Sequence, residues 1–229
     1  MLLKCIGSGS SGNGFILDDG QDILILDCGV PLMEAKVAID FQISRVVGCC
    51  VTHSHNDHAK YIKQYEGSGR KIFAPFLCPE KGDFQTVQFG NFKVTSFPLV
   101  HDVPCFGFVI DHPTFGRIVY ATDTEYIKYR FENVALFIVE ANYADGLLDE
   151  EGDGTVKRGH VLRGHMEIET AQRFLKQNCN EHTQAVILTH LSVNNAERDM
   201  FLHSTQDIVH CPVWIAKSGL SVLMGVEQV

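Results

Sequence analysis

The sequence predicts a mixed α/β (α+β) protein that is strand-rich in its first half. DILILDC (22–28) and RVVGCCVT (45–52) are almost continuously apolar, as strands buried on both faces are. MEIETAQRFLKQNC (166–179) instead spaces its apolar residues by three and four, as an amphipathic helix does. His53, His101, Asp123, Glu140 and His190 each stand at the C-terminal end of a strand-like run, the edge where such folds collect site residues.

In chain order, LLKCIG (2–7) and GFILDD (14–19) read as strands joined by the glycine-serine loop SGSSGNG. DILILDC follows, then a helix, PLMEAKVAIDF, opened by Pro31. After RVVGCCVT, DHAKYIKQYEGSG (57–69) reads as one helix ended by glycine. KIFAP, FQTVQF, FKVTSFPL, CFGFVID, RIVYAT and ALFIVEA are six further strands. QAVILTH is a buried strand, VNNAERDMFLH (193–203) a helix, and VWIA and SVLMGV late strands. The acidic ADGLLDEEGDG reads as a solvated, mobile surface loop. No linker or repeat divides the chain, so residues 1–229 are expected to form a single domain.

A 45% hydrophobic content with 15 Phe suffices for a sizeable core. The net charge of −9 lacks the global basic field that draws proteins onto long nucleic acid. No run interleaves aromatic and basic residues as stacking platforms do. There is no signal peptide and no membrane-spanning run. The eight cysteines contain no C-x-x-C pair and read as reduced, buried thiols of a cytoplasmic protein.

CVTHSHNDH (50–58) is the densest chemistry in the chain. In an extended segment, His53 and His55 project to one side and can share a metal. The turn into a helix redirects Asp57 and His58 toward a neighbouring point. Such an arrangement suits two divalent metals ~3.5 Å apart. Imidazole and carboxylate favour zinc, with manganese or iron as alternatives. His101, Asp123 and His190 can complete the set, with Asp123 between the two metals.

HSHNDH, LVHD, YATDT and LTHLS together resemble the metallo-β-lactamase fold superfamily. SGSSGNGF, LDCG, EANYADGLL, RGHMEIETA and THLSVNNAE resemble its YycJ/WalJ group over nearly the whole chain. The resemblance implies a four-layer αββα sandwich with the metals at one edge. It implies that His53, His55 and His101 hold one metal, that Asp57, His58 and His190 hold the other, and that Asp123 bridges them. Ala59-Lys60-Tyr61 stands where that superfamily often has glycine, so a different helix entry is expected. An aspartate bridge, where true β-lactamases often use cysteine, points to phosphodiester substrates.

His165 resembles the helix-opening histidine of ribonuclease Z enzymes, and Glu140 matches the glutamate that backs it. His165 is therefore expected to be the general acid or an oxyanion stabiliser, with Asp57 and Glu140 completing the catalytic set. Asp27 is expected to orient ligands from behind. Arg158 and Arg163, in a stretch without acids, and Ser192 and Asn194, after His190, are candidate substrate contacts. His160 stands between the two arginines without an assigned role, and the remaining histidines, 112, 182, 203 and 210, are expected to be structural or exposed.

The expected activity is two-metal hydrolysis of phosphodiester bonds, and the resemblance implies a DNA exonuclease. The alternative is a cyclic-nucleotide phosphodiesterase acting on small signalling nucleotides. A non-catalytic metal scaffold is disfavoured by seven filled ligand positions. A thiolester or lactam hydrolase is disfavoured by Asp123 and the His165/Glu140 pair. Partners are thus nucleic acid or a small nucleotide. Dimers are common in the superfamily, and a homodimer is compatible with the sequence.

Overall fold

The computed structural model describes residues 1–147, 164–193 and 195–225. Among these, β1 (Leu2–Gly7), β2 (Gly14–Asp18), β3 (Ile23–Leu26), β4 (Val46–Cys50) and β5 (Ile72–Phe73) build the first sheet. β6 (Thr86–Phe89), β7 (Phe92–Leu99), β8 (Cys105–His112), β9 (Gly116–Ala121), β10 (Val134–Glu140), β11 (Ala185–Thr189) and β12 (Val213–Ile215) build the second. β13 (Ser221–Leu223) returns to the first sheet, giving the order β13-β1-β2-β3-β4-β5 against β12-β11-β10-β9-β8-β7-β6.

Alternation along the strands assigns each side chain to a layer. Leu24 and Leu26 of β3, Phe108 of β8 and Leu136 and Ile138 of β10 meet between the sheets. Ile23 and Ile25 face outward under the helix Leu32–Ala38. Phe137 and Val139 face outward under the helices Ile168–Asn178 and Arg198–Gln206. The result is the αββα sandwich. Both faces of each sheet are covered, which is why these strands read as continuous apolar runs. Emptying one central position, such as Leu24 or Phe108, costs about 2–5 kcal/mol.

The helix Ile168–Asn178 buries Ile168, Ala171, Phe174 and Leu175 on one face, and the Glu167 side chain caps it by accepting from Thr170 N–H at 3.0 Å. Two helices depart from expectation. The helix expected over 57–69 is broken into Asn56–Ala59 and Ile62–Gly67. The backbone of Cys28 intervenes: its N–H donates to His58 O at 2.8 Å, and its carbonyl accepts from Tyr61 N–H at 3.0 Å. The helix expected over 193–203 begins only at Arg198, because Asn195 is held by its carbonyl to Ala144 N–H at 3.0 Å.

The central strands β9, β10 and β11 run parallel and end at the same edge. Their register sets Glu140 beside Thr189 and Val139 beside Ala121. The residues that follow, Asp123 and His190, therefore converge on Glu140.

Candidate metal centre

The strand ends aim their side chains through unusual backbone. Asp27, Asp123 and His190 all have positive φ, at 63°, 54° and 56°. Each such residue stores on the order of 1–3 kcal/mol of strain, which the surrounding hydrogen bonds must hold in place. Two glycines permit the close packing behind Asp57. A Cβ on Gly29 would lie 1.7 Å from the Asp57 carbonyl oxygen. One on Gly12, at φ +145°, would lie 2.5 Å from the Gly29 carbonyl oxygen. Asn13 N–H then donates to Asp57 O at 2.7 Å, so the two glycine segments clamp the 57–58 turn.

The seven expected ligands gather into two groups that share Asp123: His53, His55, His101 and Asp123; and Asp57, His58, Asp123 and His190. In each group the ligand atoms lie within 4.8 Å of one another. The individual separations are telling. His55 Nδ1 to His101 Nε2 is 3.3 Å, His190 Nε2 to Asp57 Oδ2 is 3.3 Å, and His58 Nε2 is 3.4 Å from both Asp57 Oδ2 and Asp123 Oδ1. Two ligands ~2.0–2.1 Å from a tetrahedral zinc are separated by ~3.3–3.4 Å. The separations match the edges of such a coordination polyhedron, and they are long for hydrogen bonds.

The donor set also needs a cation. His53 Nε2 is buried with no hydrogen-bond partner among the described residues, while its Nδ1 lies 3.0 Å from Thr52 Oγ1. Burial, reinforced by His58, pushes His53 down to about 2, so the ring is neutral and keeps a lone pair. Burial works against the charge of Asp123, but His190 and His58 outweigh it and hold the carboxyl well below its usual range. The same opposition holds for Asp57, kept ionised by His190 and His58. Burial likewise opposes charge on His190, yet Asp123, Asp57 and Glu140 raise it to about 10. Ionised carboxylates at this depth require compensating positive charge. Protons on His58 and His190 supply it here; a divalent metal would displace them, and the residues fit one.

Behind the ligands, Asp27 Oδ2 lies 2.8 Å from His58 Nδ1 and accepts from Tyr120 OH at 2.5 Å. Asp27 Oδ1 accepts from Thr52 N–H at 2.9 Å. This holds a proton on His58 Nδ1 and turns Nε2 toward the group. Burial opposes charge on His58, but Asp123 and Asp27 outweigh it and raise the imidazole well above its usual range, so a metal there would displace the Nε2 proton. His165 Nδ1 sits 2.7 Å from Glu140 Oε1, and Glu140 Oε2 accepts from Thr124 N–H at 2.8 Å. The His165 ring stacks on His190 with centroids 5.2 Å apart. Burial disfavours charge on His165, but Glu140 outweighs it and raises the imidazole above its usual range.

The sequence passed over several members. Asn13 Nδ2 lies 2.7 Å from His58 Nε2 and 3.3 Å from Asp57 Oδ2, with its orientation fixed by Gly9 N–H donating to Oδ1 at 2.8 Å. Asn142 Nδ2 donates to His190 O at 2.7 Å. Ser8 Oγ accepts from His190 N–H at 3.0 Å. The signal for Asn142 was its place two residues after Glu140; Asn13 had only a glycine-rich neighbourhood. Ser192 Oγ accepts from Asn195 N–H at 3.2 Å and so serves its own turn. Arg158, Arg163, Asn194 and the acidic residues 148–154 lie outside the described residues. All eight cysteines are free thiols. Among the described residues, no helix is long and apolar enough to cross a membrane.

No family model matches the chain. It is 25% identical to the exodeoxyribonuclease YycJ of Bacillus anthracis, over 89% of this chain and 87% of that one. It is 24% identical to the exodeoxyribonuclease WalJ of Streptococcus pneumoniae, over 85% and 83%. Among solved structures it superposes on the metallo-β-lactamase fold protein YhfI of Bacillus subtilis with a TM-score of 0.74, at 22% identity, over 96% and 98%. It superposes on the short form of human tRNase Z with a TM-score of 0.65, at 16% identity, over 99% and 100%. Two mixed sheets between helices, with the histidine-aspartate centre at their shared edge, give this chain the metallo-β-lactamase fold.

Proposed function

We propose that the centre is a two-metal phosphodiesterase and that its substrate is DNA, cut in the manner of an exonuclease. The observation that carries this reading is the pair of ligand groups sharing Asp123, with the Glu140-backed His165 beside them. The YycJ and WalJ likeness supplies the substrate class. His53, His55 and His101 would hold one metal, and Asp57, His58 and His190 the other, with Asp123 common to both. Bound divalent metals would activate a water and neutralise phosphoryl charge; zinc suits the donor set.

The chain's own residues do the rest. Glu140 faces His165 Nδ1 and raises the imidazole's proton affinity against burial, which suits His165 to deliver a proton to a leaving oxygen. Asp27 holds His58 in the coordinating tautomer. Asn13 N–H holds the Asp57 backbone carbonyl from the glycine loop at 2.7 Å. The 16% side-chain exposure of His165 and 33% of His55 leave this edge open to substrate.

The test is a side-by-side assay of metal-loaded protein on single-stranded DNA, duplex DNA with varied ends, RNA and cyclic mononucleotides, with Asp57→Ala as control. Mononucleotide release from DNA ends supports the reading. The net charge of −9 favours a small anion over a long one. Selective opening of cyclic nucleotides would therefore move the protein to small-nucleotide hydrolysis.

A further inference from the structure

Contrary to the expectation from sequence, residues 126–131, YIKYRF, do interleave aromatic and basic side chains. The run hid between Glu125 and Glu132, which cancel its charge. The structure separates its two sides. Ile127, Tyr129 and Phe131 are half-buried against the core under the second sheet, while Tyr126, Lys128 and Arg130 are exposed. This alternation puts the tyrosine and the two cations on one outward line, which ends at the exposed Glu132. Among the described residues, neither Lys128 nor Arg130 makes an ion pair; Lys128 Nζ lies over the Tyr129 ring at 5.1 Å. Phe84, 62% exposed, meets the same half-buried ring edge-on at 5.9 Å.

The line is tied through its backbone to the strand ends of the metal centre. Tyr126 is three residues past Asp123, and its carbonyl accepts from Thr124 Oγ1 at 2.9 Å. Thr124 is itself tied to Glu140 Oε2 and to Val100 N–H, and Glu125 N–H donates to Val100 O at 3.0 Å. Tyr126 is thereby fixed between the strand ends that carry His101 and Glu140. Outward side chains two residues apart on an extended chain are ~6.6 Å apart, a step of the same order as the phosphate repeat of a stretched single strand.

We propose that Tyr126, Lys128 and Arg130 form a track for a single-stranded DNA end entering the metal centre, with a base stacked on Tyr126 and successive phosphates on Lys128 and Arg130. This rests on the nuclease reading above. Stacking on an exposed tyrosine needs an unpaired base, and Lys128 and Arg130 offer two point contacts for phosphates between the flanking Glu125 and Glu132.

The test is fluorescence anisotropy of the full, metal-loaded chain with a phosphorothioate-protected single-stranded oligonucleotide. Lys128→Glu/Arg130→Glu is expected to weaken binding about tenfold or more and to flatten the log–log salt slope by about 1.4, or 0.7 per phosphate lost. Tyr126→Ala is expected to weaken it about fivefold or more. Thermal midpoints serve as the folding control, and Lys128→Gln/Arg130→Gln replaces the reversal if that pair is unstable. Unchanged affinity and slope, or no binding by wild type, overturns the track. Wild type that binds the protected strand but leaves an unprotected one uncut overturns the nuclease reading and leaves the track standing.

Discussion

At one end of the sandwich His112 Nε2 lies 3.0 Å from Asp19 Oδ2; at the other, His53 Nε2 lies 3.7 Å from Asp123 Oδ2. Both pairs are buried, yet their surroundings differ. Asp19 Oδ1 accepts from Gln21 N–H and Asp22 N–H at 2.7 and 2.6 Å, and Oδ2 also accepts from Asn91 at 2.8 Å. His112 Nδ1 accepts from Phe115 N–H at 3.2 Å. Every group there is used, at hydrogen-bonding distance, and the pair ties the β2–β3, β6–β7 and β8–β9 turns together. At the other end an imidazole nitrogen has no hydrogen-bond partner among the described residues, and ligand atoms stand 3.3–3.5 Å apart around shared points. Proximity of histidine and aspartate therefore does not mark a functional centre. Unmet donor and acceptor capacity, at coordination spacing, does.

The sharpest way to break this contrast is Asp57→Ala. Turnover on the DNA substrate is expected to fall by ~10³-fold or more, the scale of losing several kcal/mol of charge stabilisation. The protein should stay folded by circular dichroism. Wild-type-like rates in a metal-verified sample would sink the reading.

His165→Ala comes next. It should keep its metals by elemental analysis while kcat falls ~10²–10³-fold, the usual range for a lost proton donor. Loss of metal instead would make His165 a ligand. Asp27→Asn should weaken metal affinity ~10–100-fold through His58, and through Thr52 against His53, measured by competition with a chromogenic chelator; unchanged affinity would reduce Asp27 to a packing residue.

Asp19→Asn probes the closed end and should leave turnover untouched. It should destabilise the fold by about 1–3 kcal/mol, read by urea unfolding at neutral pH. The pH dependence has a definite sign. Burial disfavours the Asp19 charge, but His112, Asn91 and the turn amides outweigh it and hold the carboxyl well below its usual range. Its contribution is thus complete above the unfolded value of ~3.9 and is lost as pH falls below it toward the folded one. The acid limb of wild type should be shallower in the variant; an identical limb would show that this end is not what the carboxylate stabilises.

Much of this was legible in the sequence because it is local. His53, His55, Asp57 and His58 lie within six positions, and the strand-end placement of His101, Asp123, Glu140 and His190 follows from apolar runs that stop at them. What escaped depends on contacts between distant segments. Asn13 meets His58 45 residues away, and Tyr120 meets Asp27 across 93. The helix break at Lys60–Tyr61 is imposed by the backbone of Cys28 and carries no propensity signal of its own. The 126–131 line was hidden because its two sides separate only once Tyr129 and Phe131 are buried. His112 was rightly read as structural, but nothing in its neighbours named Asp19.

The most direct test of the two-group centre is metal stoichiometry by elemental analysis, taken together with turnover, on wild type and Asp123→Ala. Two equivalents per wild-type chain, falling in the variant along with activity, is the predicted result. One equivalent or none in wild type, or full activity after complete chelation, would contradict it.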